Sequence, residues 1–396
     1  MRQWMQILII GTILLFFGQI SVQAATNNGI AGKVEDSIVE NQMNQLGLDD
    51  LQTFWKNIES QYGGYLPDSQ KGSLMDFIKG DKKFSLNEWF QGLLKFTFQQ
   101  LMMNGKLLGS LIVLTIFSMF LQSLQTSFEN GAISKVANAI VFMVLIIIAL
   151  NSFHVAIDYT EEAVNKMMGF ILALIPLLLA LISSSGGITS AAFFHPVIIF
   201  LMNTSGMLIK YFVLPLLLLS TLLSIVSSLS EHHKATQLAK LLRNAGVGIL
   251  GIFMTIFLGV ISVQGTATAV TDGITIKTAK FVTGNFIPVI GRMFTDAADT
   301  VITASSLLKN TLGIAGVAIV LLIAAFPAIK ILAVSFMFKF AAALLQPLGN
   351  SPIINCLDVI SKNMVYVFAS LAIVAFMFFL SITIIITAGN ITMMMR

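Results

Sequence analysis

Beyond Leu107 the chain alternates long apolar blocks with short polar breaks. The blocks cover about 107–126, 136–153, 167–184, 211–229, 244–264, 312–334 and 364–388. An eighth, 188–209, is interrupted by Asn203-Thr204-Ser205-Gly206. About twenty apolar helical residues cross a 30 Å hydrocarbon layer. In such a layer every backbone N–H and C=O must be bonded within the chain, so the blocks predict helices. A membrane β-barrel would need roughly ten-residue strands of alternating polarity, and no such alternation occurs. The expected fold is all-α: a polytopic helical membrane protein with about seven to eight transmembrane helices over 106–396.

The first 105 residues read differently. Arg2, an apolar run from Ile7 to Phe17, and small residues at Val22 and Ala24 have the layout of a signal peptide over 1–24. Cleavage is expected between Ala24 and Ala25. Residues 25–105 then form a small extracytoplasmic helical module. Leu48, Leu51, Trp55, Ile58 and Tyr62 recur at three- and four-residue steps, an amphipathic helix stopped by Gly63-Gly64. A second short helix carries Leu74, Phe77 and Ile78. Ser85-Leu86-Asn87-Glu88 reads as a capping box opening a third helix through Trp89, Leu93 and Phe96. The module is too small for a large core of its own and is expected to lean on the membrane, the rest of the chain or a partner.

Topology follows from the basic residues. Loop 154–166 holds Asp158, Glu161, Glu162 and Lys166, which suits the outside; 230–243, with Lys234, Lys240 and Arg243, suits the cytoplasm. The module is expected on the outer side. Segment 271–310 fits poorly: it should be outside, yet it carries Lys277, Lys280, Arg292 and Lys309. After Pro288, Ile290, Phe294, Ala297, Val301 and Leu308 share one helical face, with Arg292, Asp296 and Asp299 off it. This amphipathic helix is expected to lie flat or to contact a partner through Arg292, Asp296 and Asp299. The piece 335–346 is too short to span and reads as re-entrant.

Composition sharpens the class. Apolar residues make up 56% of 396 and charged residues only 11%, against about 25% charged in soluble domains. Ten acids and seven bases lie between Glu35 and Lys106, so the remainder is nearly uncharged. A net charge of +4 without a Lys/Arg tract points to membrane lipid rather than nucleic acid as the surrounding partner. A single cysteine, Cys356, excludes an intrachain disulfide and a Cys-rich metal site.

No nucleotide loop, catalytic triad elbow or zinc motif is present. No cofactor is expected, and the chain does not read as an enzyme. His154, Asp158 and Glu162 occupy one helical face, which chiefly solvates a helix end. More pointed are polar groups within apolar blocks: His195 before Pro196, and Asn203, Thr204 and Ser205. Ionisable groups in a membrane are costly and become functional candidates. Proline beside a Gly/Ser break can unwind helices into the half-helices of a transport site. The same residues also serve simply to pack helices closely.

Specific strings lie along almost the whole chain: Tyr62-Gly63-Gly64 with Leu66-Pro67-Asp68-Ser69-Gln70-Lys71-Gly72, Ala149-Leu150-Asn151-Ser152-Phe153-His154, Phe193-Phe194-His195-Pro196, Gly284-Asn285-Phe286-Ile287-Pro288, and Gln346-Pro347-Leu348-Gly349. In these the chain resembles the stage III sporulation protein AE family of endospore-forming bacteria. The resemblance implies a multi-pass protein of the mother-cell membrane surrounding the forespore. It would belong to the channel complex joining the two cells and sustaining late forespore gene expression. Implied partners are other membrane proteins of the stage III sporulation A operon and the forespore stage II protein Q complex. Two functions are therefore expected: a scaffold or channel subunit or, alternatively, a permease for a small solute or ion using His195 and Asn203.

Overall fold

The structure, a computed structural model, describes residues 48–66, 86–127, 132–229, 235–286, 290–348 and 352–394. The leader with Ala24 and Ala25, the second short helix and Ser85 of the capping box lie outside the described residues. Every regular element among the described residues is helical. Helix α1 (Asp49–Tyr62) buries Leu51, Trp55, Ile58 and Tyr62, the face its spacing predicts. Asp49 and Asp50 in its first turn match the positive end of the helix dipole. Helix α2 (Leu86–Met103) runs into α3 (Gly105–Ser127) through a 42° bend.

Five longer helices follow: α4 (Ala132–Ser184), α5 (Ile188–Leu208) continued by α6 (Leu214–Leu229), α7 (Thr236–Phe286), α8 (Ile290–Leu345) and α9 (Pro352–Met394). Counted by length and apolarity, five helices among the described residues suffice to cross a membrane, or six if bent α2–α3 is one span. The sequence expectation of seven to eight spans came from splitting rods that are continuous. The expected loop 154–166 is helical and joins 136–153 to 167–184 in the 53-residue α4. No glycine or proline occurs between 132 and 168, and Ala156, Ile157, Ala163 and Val164 are buried there. Charges interrupt hydropathy without interrupting a helix.

The same correction applies elsewhere. Segments 188–209 and 211–229 form one path through a π-helical turn, Ile209–Val213. Pro215 lacks an N–H and its ring crowds the carbonyl four residues back. The widened turn just before it relieves that clash. Residues 271–286 belong to α7, and the helix after Pro288 is the start of the 56-residue α8. The piece 335–345 is the end of α8 rather than a re-entrant segment.

Helix α8 packs on both α4 and α9. Glycines set these approaches: a Cβ at Gly313 would collide with the Ile386 side chain of α9, and one at Gly316 with Leu174 of α4. Small residues that admit a neighbouring side chain are the usual means of tight helix contact in apolar surroundings. Helix α4 closes at Gly186, where φ is +91°. There the Gly187 N–H donates to the Ile182 carbonyl (2.8 Å) and the Gly186 N–H to that of Ser183 (2.9 Å). This is the reciprocal closure that needs a left-handed residue, hence glycine. Helix α1 packs on α4 and α8.

Gly313→Val and Gly316→Val should each destabilise the protein by about 1–3 kcal/mol through overpacking. Gly248→Ala, with open space around its Cβ position, should cost nothing. Thermal unfolding of detergent-purified protein compares the three.

Candidate functional site

Charged groups on the long helices gather at shared levels. The first level is a collar. Glu161, Glu162 and Lys166 on α4 meet Lys210 at the π-turn and Lys330 on α8. Lys166 Nζ lies 2.6 Å from Glu162 and 3.4 Å from Gln61 Oε1 of α1; Lys210 lies 3.9 Å from Glu161. The Lys330 ammonium sits 4.9 Å from the centre of the Tyr159 ring and 5.7 Å from that of Tyr62. An ammonium over aromatic faces is attracted by the ring quadrupoles. Tyr62 also stacks on Phe326 at 3.9 Å, and Phe54 meets Phe170 edge-on at 5.5 Å. Burial, and then Glu162 and Tyr159, push the Tyr62 phenol up to about 12. Between α1, α4 and α8 lies a partly open pocket of about 70 Å³, with Phe54, Ile58, Ile323 and Pro327 as its apolar lining.

A second level closes the other end of α4. Asp272 of α7 is 1% exposed. Its Oδ1 accepts the Thr189 N–H (2.9 Å) and its Oδ2 the Ser190 N–H (2.8 Å). A carboxylate from another helix thus caps the N-terminus of α5, where the dipole favours negative charge. Beside this end, Lys309 of α8 is fully buried, and its Nζ donates to Asn390 Oδ1 of α9 at 2.8 Å. Gly389 makes the passage possible, since a Cβ there would stand 2.6 Å from that Nζ. Along α8, Lys309 and Lys330 are about 31 Å apart at 1.5 Å per residue.

The third level lies about 13 Å beyond the collar along α8. Asp358 of α9 pairs with Lys339 of α8 and with Lys362 one turn on. Arg243 of α7 stacks over the Tyr366 ring at 4.7 Å, and Ser335 Oγ donates to the Ser361 carbonyl at 2.9 Å.

The residues singled out from sequence are dispersed over these levels. His195 and Asn203 are exposed on the outer face of α5, which remains helical through Pro196. Thr204 and Ser205 bond within the helix, to the Phe200 and Met202 carbonyls, both at 2.7 Å. His154 and Asp158 approach to 3.7 Å, while Glu162 is engaged by Lys166. Arg292 and Asp296 belong to the first turns of α8, and their side chains lie outside the described residues; Asp299 is half-buried. Sequence reading missed Asp272 and the structural parts of Lys309 and Lys330. The available signal was each residue's isolation within a long apolar stretch.

The family description Stage III sporulation protein AE matches residues 69–389. The chain belongs to the stage III sporulation protein AE family. Stage III sporulation protein AE of Bacillus subtilis (strain 168) is 60% identical over 400 residues, covering 100% of this chain and 99% of that protein. No solved structure matches the chain. The sporulation AE assignment comes with an all-helical fold and several apolar helices, which suggests a membrane protein of sporulating cells.

Asp272→Ala should leave the first amides of α5 without their acceptor and lower stability by about 1–3 kcal/mol, the range for an unsatisfied buried group. Asp272→Asn, which keeps one acceptor oxygen, should cost less. Equilibrium unfolding of the two variants in detergent measures the order.

Proposed function

We propose that this AE-family protein is an integral membrane component of the mother cell–forespore channel, acting as a scaffold or channel subunit needed for late forespore gene expression. The observation that carries the membrane part is the spacing of the charged levels. Between the collar and the Asp272–Lys309 level, the long helices are uncharged over 167–184, 188–209, 244–271 and 310–329. The interval of about 31 Å along α8 matches the roughly 30 Å of a hydrocarbon core. Family membership supports the sporulation part. The partners in this reading are other membrane proteins of the stage III sporulation A operon and the forespore stage II protein Q complex. The scaffold reading is preferred to a permease because His195 and Asn203 face out of the bundle.

A hydrocarbon layer placed between those levels changes the expected sidedness. Helix α1 meets the bundle at the collar, and the Lys339–Asp358–Lys362 level lies beyond it, on the same side. The module and the start of α7 therefore share a side, whereas a signal peptide together with the basic-residue rule would separate them. In a Cys356→Ala background, cysteines at Ser60 and Thr236 should be labelled from one side and a cysteine at Thr278 from the other. Labelling of Ser60 and Thr236 from opposite sides would reject this placement. The side that is labelled tells whether the leader or the lysines set orientation.

The start of α8 is proposed as a partner contact through Arg292, Asp296 and Asp299. Isolated solvated charges usually tolerate reversal. Asp296→Lys with Asp299→Lys should leave the protein inserted and abundant but reduce spore yield and co-purification of partner proteins. Normal spore yield would refute the contact role.

A further inference from the structure

We propose that the pocket between α1, α4 and α8 holds a phosphate group, supplied by an anionic phospholipid headgroup. The inference rests on the membrane placement above, which sets the collar at the headgroup level. Three observations carry it. First, the pocket is net positive: Lys166 and Lys330 line it against the single carboxylate of Glu162. Second, Lys330 has no carboxylate to itself: Glu162 acts on it only through space. Its ammonium rests against the rings of Tyr62 and Tyr159, and no carboxylate of the described residues pairs with it at ion-pair distance. Glu162 is already engaged by Lys166 at 2.6 Å. Third, the pocket is amphipathic in the way a lipid is. Its apolar lining is Phe54, Ile58, Ile323 and Pro327, while the exposed Asn57 and Gln61 of α1 form a rim of hydrogen-bonding amides.

A lysine pair offers a phosphate two charge-assisted donors, and basic pockets between membrane helices take anionic headgroups by this chemistry. The occupant also ties the module to the bundle, because the rim comes from α1 and the lysines from α4 and α8. A phosphate seated there bridges the two beside the ring contacts and the Lys166–Gln61 bond.

The test uses full-length protein in a neutral detergent, with thermal unfolding as the binding readout. The probes are dihexanoyl-phosphatidylglycerol, dihexanoyl-phosphatidylcholine and inorganic phosphate. The glycerol lipid should stabilise the protein at a concentration at least about tenfold below that needed for the choline lipid. Lys330→Gln and the exposed-site variant Lys166→Gln should each weaken the effect about fivefold, as expected for one lysine near an anionic headgroup, and Lys330→Arg should retain it. Inorganic phosphate acting as well as the glycerol lipid would uphold the phosphate site but reject a lipid as its source. Equal stabilisation by the two lipids, or an unchanged response in both glutamine variants, would overturn the proposal. Carbonate extraction of native membranes checks the placement separately: protein released into the supernatant would reject the membrane reading itself, whatever the lipids do.

Discussion

A backbone that lacks water must bond to itself, and along helices with uncharged stretches of eighteen or more residues that requirement governs the architecture. It favours rods without breaks, since each break exposes amides and carbonyls that have no other partner. Helix α4, with 53 residues, is about 80 Å long at 1.5 Å per residue. A rod of that length cannot confine its polar residues to its ends. Charges on α4 and α8 therefore occur partway along, and they are tolerable because packing brings them to common levels. The collar of Glu161, Glu162, Lys166, Lys210 and Lys330 is one such level. Packing at the glycines keeps these levels aligned, because Gly313 and Gly316 admit Ile386 and Leu174 at fixed heights on α8.

Much of this was legible in the sequence, and the errors share one physical cause. The all-helical class follows from long apolar blocks, and the face of α1 follows from the spacing of Leu51, Trp55, Ile58 and Tyr62. Hydropathy reports where solvent or lipid is expected, not where hydrogen bonding stops. At 154–166 the charges lower the hydropathy while no glycine or proline breaks the helix, so hydropathy alone divides one rod into two spans and a loop. The turn at 185–187 was legible for the opposite reason: Gly186-Gly187 supplies the left-handed conformation that ends a helix. Pro196 and Pro327 were weaker guides, since a helix held by neighbours continues through a proline.

The candidate site was less legible than the fold. Sequence pointed to His195 and Asn203 because they are polar in an apolar run, but nothing in a run of residues tells the inner face from the outer. Both are exposed on α5. Lys330 gave no stronger signal, yet it lies at a three-helix junction because α1, distant in sequence, brings Tyr62 to it. Such a site exists only after the module has docked.

The two buried charges at the far end illustrate how such a bundle tolerates charge without ion pairs. Among the described residues neither Asp272 nor Lys309 is joined to an opposite charge. Asp272 is matched by a helix end and Lys309 by a side-chain amide instead. Asp272 takes two of the free amides opening α5, where the dipole is positive. Lys309 reaches Asn390 near the end of α9, which stops at Met394, so its ammonium lies toward the negative end of that dipole. An ion pair in the same place would have to recover two desolvation penalties from one contact, which buried pairs often fail to do. Helix termini present fixed partial charges whose desolvation is already incurred when the helices pack. One end of the bundle thus uses a carboxylate as a cap and an ammonium as a cross-link: the first fixes where α5 begins against α7, and the second fastens α8 to the Asn390 side chain of α9.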